Sequence, residues 1–275
     1  MALADGGHLE AGGKRLEYQW FGPGPDAAPT LVFLHEGLGC AALWRDFPRR
    51  VVEATGCGAL VYSRAGYGSS DPVDVPRPLR YMHIEGLEVV PAVLDAAGIR
   101  EAVLVGHSDG ASISVINAGG LADPRVRAIA LLAPHVFNEE MCVASIREAR
   151  VAYETTNLRE RMARYHGDNV DCAFWGWNRA WLDPEFMHWN IEEYLPAINV
   201  PVLAIQGRQD EYGSKLQIEA IERQVPAPVR TVWLDDCRHS PHKDQADTTL
   251  EALSGFIAET ASTGRAPSAT ESFTR

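Results

Sequence analysis

No Cys-x-x-Cys pair occurs in this chain, and its five cysteines (Cys40, Cys57, Cys142, Cys172 and Cys237) are odd in number and dispersed. Such a set fits reduced thiols in a reducing compartment rather than a disulfide framework. No apolar run approaches the roughly 20 residues needed to span a bilayer. The opening Met1–Gly7 has no basic segment followed by an apolar stretch, so no secretory signal is expected. Positive charge is also scarce: 25 Lys and Arg stand against 37 Asp and Glu, a net charge of −12. A phosphate backbone or an anionic membrane needs the opposite balance, so neither nucleic acid nor membrane is an expected partner. The chain contains neither G-x-x-x-x-G-K-[S/T] nor H-E-x-x-H, which removes the nucleotide cradle and the zinc-protease helix. The expectation is a cytoplasmic protein acting on a small molecule with no cofactor and no metal. Homo-oligomerisation stays open.

What is present is an ordinary globular composition, 46% apolar and 23% charged, over 275 residues. Short apolar runs alternate with helix-compatible stretches, the pattern of a mostly parallel sheet covered on both faces. An edge hairpin is expected over about 8–21 and ends at Gly22-Pro23-Gly24-Pro25. Buried strands are expected at 30–34, 59–62, 102–105, 126–132, 200–205 and 230–234. Helices are expected at about 43–54, at 83–97 with Gly98 as its cap, after residue 110, and at 246–259. From 135 to 198 the texture changes to helix-like sequence dense in aromatics, including Trp175, Trp177, Trp181 and Trp189. The chain therefore divides into a first core part (1–134), an inserted helical segment (135–198), a second core part (199–260) and a tail (261–275) expected to be disordered. The insert reads as a cap whose four tryptophans bind substrate, against the plainer reading of a small helical bundle filling its own core.

The pentapeptide Gly106-His107-Ser108-Asp109-Gly110 sits between the apolar run Ala102–Val105 and the helix-compatible Ala111–Ile116. A G-x-S-x-G at a strand-to-helix turn is a nucleophile elbow: the serine occupies a strained turn and its hydroxyl projects above the sheet edge. A serine alcohol needs a base within hydrogen-bond reach, and the base needs an orienting acid. Asp210 lies in the loop beyond the 200–205 strand, and His239 lies in the loop beyond the 230–234 strand. Functional groups of open α/β sheets gather at this edge. His242 rivals His239, while Glu211, Glu139 and Glu140 rival Asp210. Asp235 and Asp236 read as solvated loop charges, and His107 as a structural residue pointing away from the site. The oxyanion formed on attack needs preorganised donors. The backbone N–H of Asp109 and that of Gly37, with Leu38 as the alternative, are the candidates in the oxyanion hole. The carboxylates of Asp109 and Glu36 would oppose that charge unless turned away, and Arg64 is a candidate partner for one of them.

Taken together, His35-Glu36-Gly37-Leu38-Gly39, the run Ser63–Ser70, the Gly106–Gly110 elbow, Asp210 and His239 resemble the α/β-hydrolase superfamily over about residues 10–260. The resemblance implies an eight-stranded, mostly parallel sheet with a helical cap between its sixth and seventh strands. It departs at Ser63, where many relatives carry Asp, and at Glu36, where Gly is usual. A serine at the elbow disfavours the dehalogenase and epoxide-hydrolase branches, which need a carboxylate nucleophile. The expected activity is hydrolysis of an ester, lactone or thioester of a bulky or aromatic apolar compound. The alternatives are a carbon–carbon bond hydrolase of ring-fission products with the same triad, and a non-hydrolytic ligand receptor on the same fold.

Overall fold

The computed structural model describes residues 4–263. Its centre is a sheet of eight strands: β1 (Gly6–Ala11), β2 (Lys14–Phe21), β3 (Thr30–Leu34), β4 (Gly58–Tyr62), β5 (Ala102–His107), β6 (Val126–Leu132), β7 (Val202–Gly207) and β8 (Val229–Leu234). Their order across the sheet is β1-β2-β4-β3-β5-β6-β7-β8. β1 and β2 form an antiparallel hairpin, β2 joins β4 antiparallel, and the remaining pairings are parallel. The order reverses at β3, which pairs with β4 on one side and β5 on the other. A crevice opens at the carboxyl ends of strands flanking such a switch point.

Every residue of β3, β4 and β5 is buried, as expected of parallel strands covered on both faces. The period-2 alternation divides them cleanly. Val32, Leu34, Leu60, Tyr62 and Leu104 face one hydrophobic cluster, while Leu31, Phe33, Val61, Val103 and Val105 face the other. The helices are α1 (Phe47–Thr55), α2 (Tyr81–Ile84), α3 (Val90–Ala96), α4 (Asp109–Leu121), α5 (Glu140–Thr155), α6 (Leu158–His166), α7 (Val170–Trp181), α8 (Lys215–Gln224), α9 (Pro241–Asp244) and α10 (Ala246–Thr263). α1 and α10 cover the second face through Phe47, Val51, Leu253 and Phe256. α3, α4 and residues of α5 and α7 cover the first.

Two helices depart from the expected spans. The 43–54 stretch divides at Arg45 (φ 55°) into a 3-10 turn, Ala41–Trp44, and α1. The 83–97 stretch widens to π geometry over Glu85–Val89, just ahead of Pro91, which has no N–H to continue an α-helical ladder. Gly98 follows α3 at φ 66°, the left-handed conformation that ends helices. Of the expected tail, Ala261–Thr263 continue α10 and 264–275 lie outside the described residues. Among the described residues, no helix is long and apolar enough to cross a membrane.

Candidate active site

Ser108 stands between β5 and α4 with φ 53° and ψ −116°. A non-glycine residue at positive φ costs on the order of 1–3 kcal/mol, which the surroundings must impose. The flanking glycines show how. A Cβ on Gly106 would run into the Gly110 carbonyl, and a Cβ on Gly110 would run into the Leu34 carbonyl. The motif's spacing is thus the spacing of two backbone crossings, one within the turn and one against β3.

His239 and Asp210 arrive from the ends of β8 and β7. His239 Nε2 lies 2.9 Å from Ser108 Oγ, and His239 Nδ1 lies 2.9 Å from both carboxylate oxygens of Asp210. Asp210 is itself held: the Tyr212 and Gly213 N–H groups donate to Oδ1 at 2.8 and 3.2 Å, and Gln206 Nε2 donates to Oδ2 at 2.8 Å. Burial alone would raise the Asp210 carboxyl, but the adjacent His239 imidazole and the Tyr212 N–H bring it below its ordinary value. The rivals are engaged elsewhere. Glu211 pairs with Arg238 at 2.9 Å. Glu139 accepts from the Ser214 hydroxyl at 2.6 Å and from Gln217 at 2.7 Å, tying it to α8. Glu140 is exposed at the start of α5. His242 is buried 4.6 Å from the Trp44 ring, and Asp235 pairs with Arg208 on the surface.

The loop after β3 supplies unpaired donors. Among the described residues, no protein acceptor takes the N–H of Gly37, Leu38 or Asp109. The two carboxylates beside them are turned away, each to its own partner. Asp109 is fully buried and accepts from the Tyr81 hydroxyl at 2.6 Å and the Arg64 guanidinium at 3.4 Å. Arg64 also donates to the Glu36 carbonyl at 3.1 Å and lies over the Tyr67 ring. The Glu36 carboxylate instead faces Lys243 Nζ at 3.2 Å and His107 Nδ1 at 3.4 Å. Burial would raise it, yet Lys243 and His107 hold it well below the usual carboxylate range. His107 shares the face of Val103 and Val105, as alternation along β5 requires. That face is not remote from the site, and the structure corrects the expectation: His107 Nε2 lies 2.7 Å from the His239 carbonyl oxygen.

A cavity of about 310 Å³ opens at Ser108 and His239. Of the four tryptophans, Trp177 and Trp181 line it and Trp175 and Trp189 do not. Helix geometry explains the division. Trp177 and Trp181 are four residues apart on α7 and share a face, whereas Trp175 is offset to the outer side between Arg150 and Arg179. Trp189 lies beyond α7, stacked on Phe186 at 5.4 Å between ring centroids. The Trp177 indole rests on the Gly37 Cα so closely that any side chain there would overlap it. The Trp181 N–H donates to the Tyr81 hydroxyl at 3.0 Å, which extends the chain to Asp109. The remaining wall includes Cys142 and Ile146 from α5, His135 from the loop after β6, and Tyr212, whose ring lies 4.7 Å from that of His239. Neither His135 nor Tyr212 belongs to a sequence motif. The only sequence signal for them is position, at the carboxyl ends of β6 and β7.

Residues 31–252 match the alpha/beta hydrolase family. No curated protein sequence matches significantly. Several solved structures share the fold at low identity. The enol-lactonase from Burkholderia xenovorans LB400 superposes with a TM-score of 0.71 at 20% identity, covering 92% of this chain and 100% of that one. The esterase RhEst1 from Rhodococcus sp. ECU1013 gives 0.71 at 18%, covering 94% and 100%. The esterase EaEST from Exiguobacterium antarcticum gives 0.73 at 17%, covering 92% and 99%.

Proposed function

The chain belongs to the alpha/beta hydrolase family, and on that premise we propose that it is a serine hydrolase cleaving an ester through an acyl-enzyme. The observation that carries this reading is the unbroken run Ser108–His239–Asp210, with 2.9 Å at each contact. In this reading Ser108 Oγ attacks the carbonyl carbon as its proton passes to His239 Nε2. Asp210 holds the imidazole in the productive tautomer and stabilises the imidazolium that forms. The oxyanion sits against the N–H groups of Asp109 and Gly37 (Leu38 being the alternative to Gly37), which lack protein acceptors among the described residues. Collapse of the tetrahedral intermediate expels the alcohol, which takes the proton from His239. A water deprotonated by the same imidazole then attacks the acyl-enzyme and frees the acid and Ser108. Each proton is returned, so the cycle is complete with the chain's own groups.

Residues 135–198 act in this reading as a cap. They contribute Ile146, Trp177 and Trp181 to the cavity wall, favouring an apolar acyl or alcohol group. The cavity's size, about 310 Å³, falls near the lower end of the roughly 300–1,000 Å³ of ligand sites. The favoured substrate is therefore compact, with one aromatic ring or a branched chain. A fluorophosphonate probe tests the assignment: it should label wild-type protein at Ser108, and Ser108→Ala should lose both labelling and turnover of a p-nitrophenyl ester while unfolding at the wild-type temperature. Labelling at another residue, or turnover by Ser108→Ala, refutes it.

A further inference from the structure

One histidine in the cavity wall has no part in the proposed acyl transfer. His135, in the loop after β6, is 2% exposed. Its ring stands edge-on to Trp181 and tilted to His239, each at 5.4 Å between centroids. Burial, reinforced by the neighbouring His239, pushes it down to about 3, so it is a neutral imidazole. Nδ1 is sealed from solvent without a hydrogen-bond partner, on the side where a Cβ at Gly213 would lie 3.6 Å away. Nε2 has no protein partner among the described residues either, and it is the nitrogen left to meet a molecule in the cavity. Buried N–H groups are left unpaired more rarely than buried acceptors, which puts the proton on Nε2 and makes it a donor.

A second donor lines the same cavity. The Trp177 indole N–H has no protein acceptor among the described residues and rests over Gly37. Besides the polar side chains of Ser108, His239, Tyr212 and Ser240, the cavity wall carries carboxylates from Glu36, Glu211 and Asp244 against a single cation, Arg238. The cationic Arg238 at the rim is engaged by Glu211, and Glu36 and Asp244 bring carboxylates to the wall. With Arg238 paired to Glu211 and Glu36 paired to Lys243, Asp244 leaves a net negative charge for a carboxylate ligand to meet. A neutral oxygen would meet two neutral donors.

Resting on the reading of Ser108 as nucleophile, we propose that His135 determines specificity by donating from Nε2, together with the Trp177 N–H, to a neutral oxygen acceptor of the substrate a few bonds from the scissile carbonyl. The substrate class is then a neutral ester carrying a keto, ether or hydroxyl oxygen, favoured over its hydrocarbon isostere and over a carboxylate-bearing analogue. A site built around such a donor loses affinity for the analogue that leaves the donor unmet.

The test uses full-length protein and matched p-nitrophenyl esters: 4-oxopentanoate against 4-methylpentanoate, methoxyacetate against butyrate, and hydrogen succinate as the charged member. After correction for the rates of hydroxide hydrolysis, wild type should favour the oxygen-bearing member of at least one pair by about five- to tenfold in kcat/KM, the effect of one neutral hydrogen bond. His135→Phe should erase that ratio, and His135→Gln, which keeps an N–H donor, should restore part of it. If His135→Phe does not fold, Trp177→Phe reads the same ratio by removing the other donor. Equal ratios in wild type and the Phe variants overturn the proposal, as does a preference for succinate. Should wild type hydrolyse none of these esters, the hydrolase reading fails by itself. Calorimetric binding of the intact pairs to Ser108→Ala and to Ser108→Ala/His135→Phe then decides the present proposal separately: a ratio of five or more in Ser108→Ala that falls towards one in the double variant supports it, and a smaller ratio, or one the double variant keeps, sinks it.

Discussion

Acid should unfold this protein well above the pH at which carboxylates are protonated. Four buried imidazoles have their affinity for protons depressed, His166 the least and three more deeply. His35 is lowered by burial and then Arg64, His135 by burial and then His239, and His242 by burial and then His107. The sign follows from linkage. A group whose folded value lies below its unfolded value binds more protons when unfolded, so its contribution is complete above about 6.5 and is lost as pH falls towards the folded value. For a histidine with a deeply depressed folded value, the loss between pH 7.5 and 5 is about 2 kcal/mol. The three together remove about 6 kcal/mol, comparable with the whole stability of roughly 5–15 kcal/mol for a typical domain. Asp210 and Glu36, held below their ordinary values, add their losses only at lower pH, as it falls below about 4 and through their folded values. Urea titrations at pH 7.5, 6.5, 5.5 and 5 measure the slope. His242 is the informative variant because its ring packs on Trp44 and Phe47, with centroids 4.6 and 5.8 Å away, and faces His107, His239, Lys243 and Glu36. His242→Phe should fit that aromatic setting and remove about 2 kcal/mol of the loss between pH 7.5 and 5. An unfolding free energy that stays flat between pH 7.5 and 5, or a His242→Phe slope equal to wild type, would refute the reasoning.

Three further outcomes are expected. Asp210→Asn should lower kcat by about 10⁴, the usual effect of losing the orienting acid, while Glu211→Gln, paired only with Arg238 at the rim, should stay within a fewfold; steady-state kinetics on one ester compares them directly. Gly37→Ala should drive the loop or Trp177 aside and cost up to the 10²–10³ in kcat of one lost oxyanion donor, with little change in Tm. Trp177→Ala should raise KM for an aromatic ester far more than for an acetate, whereas Trp175→Ala, held outside the cavity between two arginines, should leave that ratio unchanged when the same two substrates are compared.

The sheet was legible because β3, β4 and β5 are short runs rich in Leu, Val and Ala that must be buried on both faces, and because Gly and Pro mark their ends. Ser108, Asp210 and His239 were legible for a related reason: each stands just past a strand, at the one edge where strand-end loops converge. The cavity wall was less so. The spacing of Trp177 and Trp181 would have selected one helix face, but excluding Trp175 and Trp189 required knowing where α7 ends and which side it turns to the sheet. His107 looked remote from sequence because alternation puts it on the far face. That the His239 loop folds back across the same face is a property of β7–β8 pairing, not of any local pattern. His135 carries no motif at all, and its place depends on β6 and β7 lying side by side.

That same side-by-side pairing has a consequence for how such a protein can change over time. β6 and β7 are bonded from Ile129–Val202 to Leu132–Ile205, and the helices between them add no strand to the sheet. A segment of different length or sequence could therefore be spliced in at 135–198 without moving the register that aligns Ser108 with His239. The splice is not unconditional. Trp181 reaches Tyr81, and Tyr81 reaches Asp109, so an incoming segment must offer that hydroxyl a new neighbour or leave the buried carboxylate less well held. In the proposed reading, substrate range and reaction chemistry then lie on separable pieces of one chain, tied by hydrogen bonds such as this one and those of Glu139 and Asn169 to the core, and selection can rework the first while the second stays fixed.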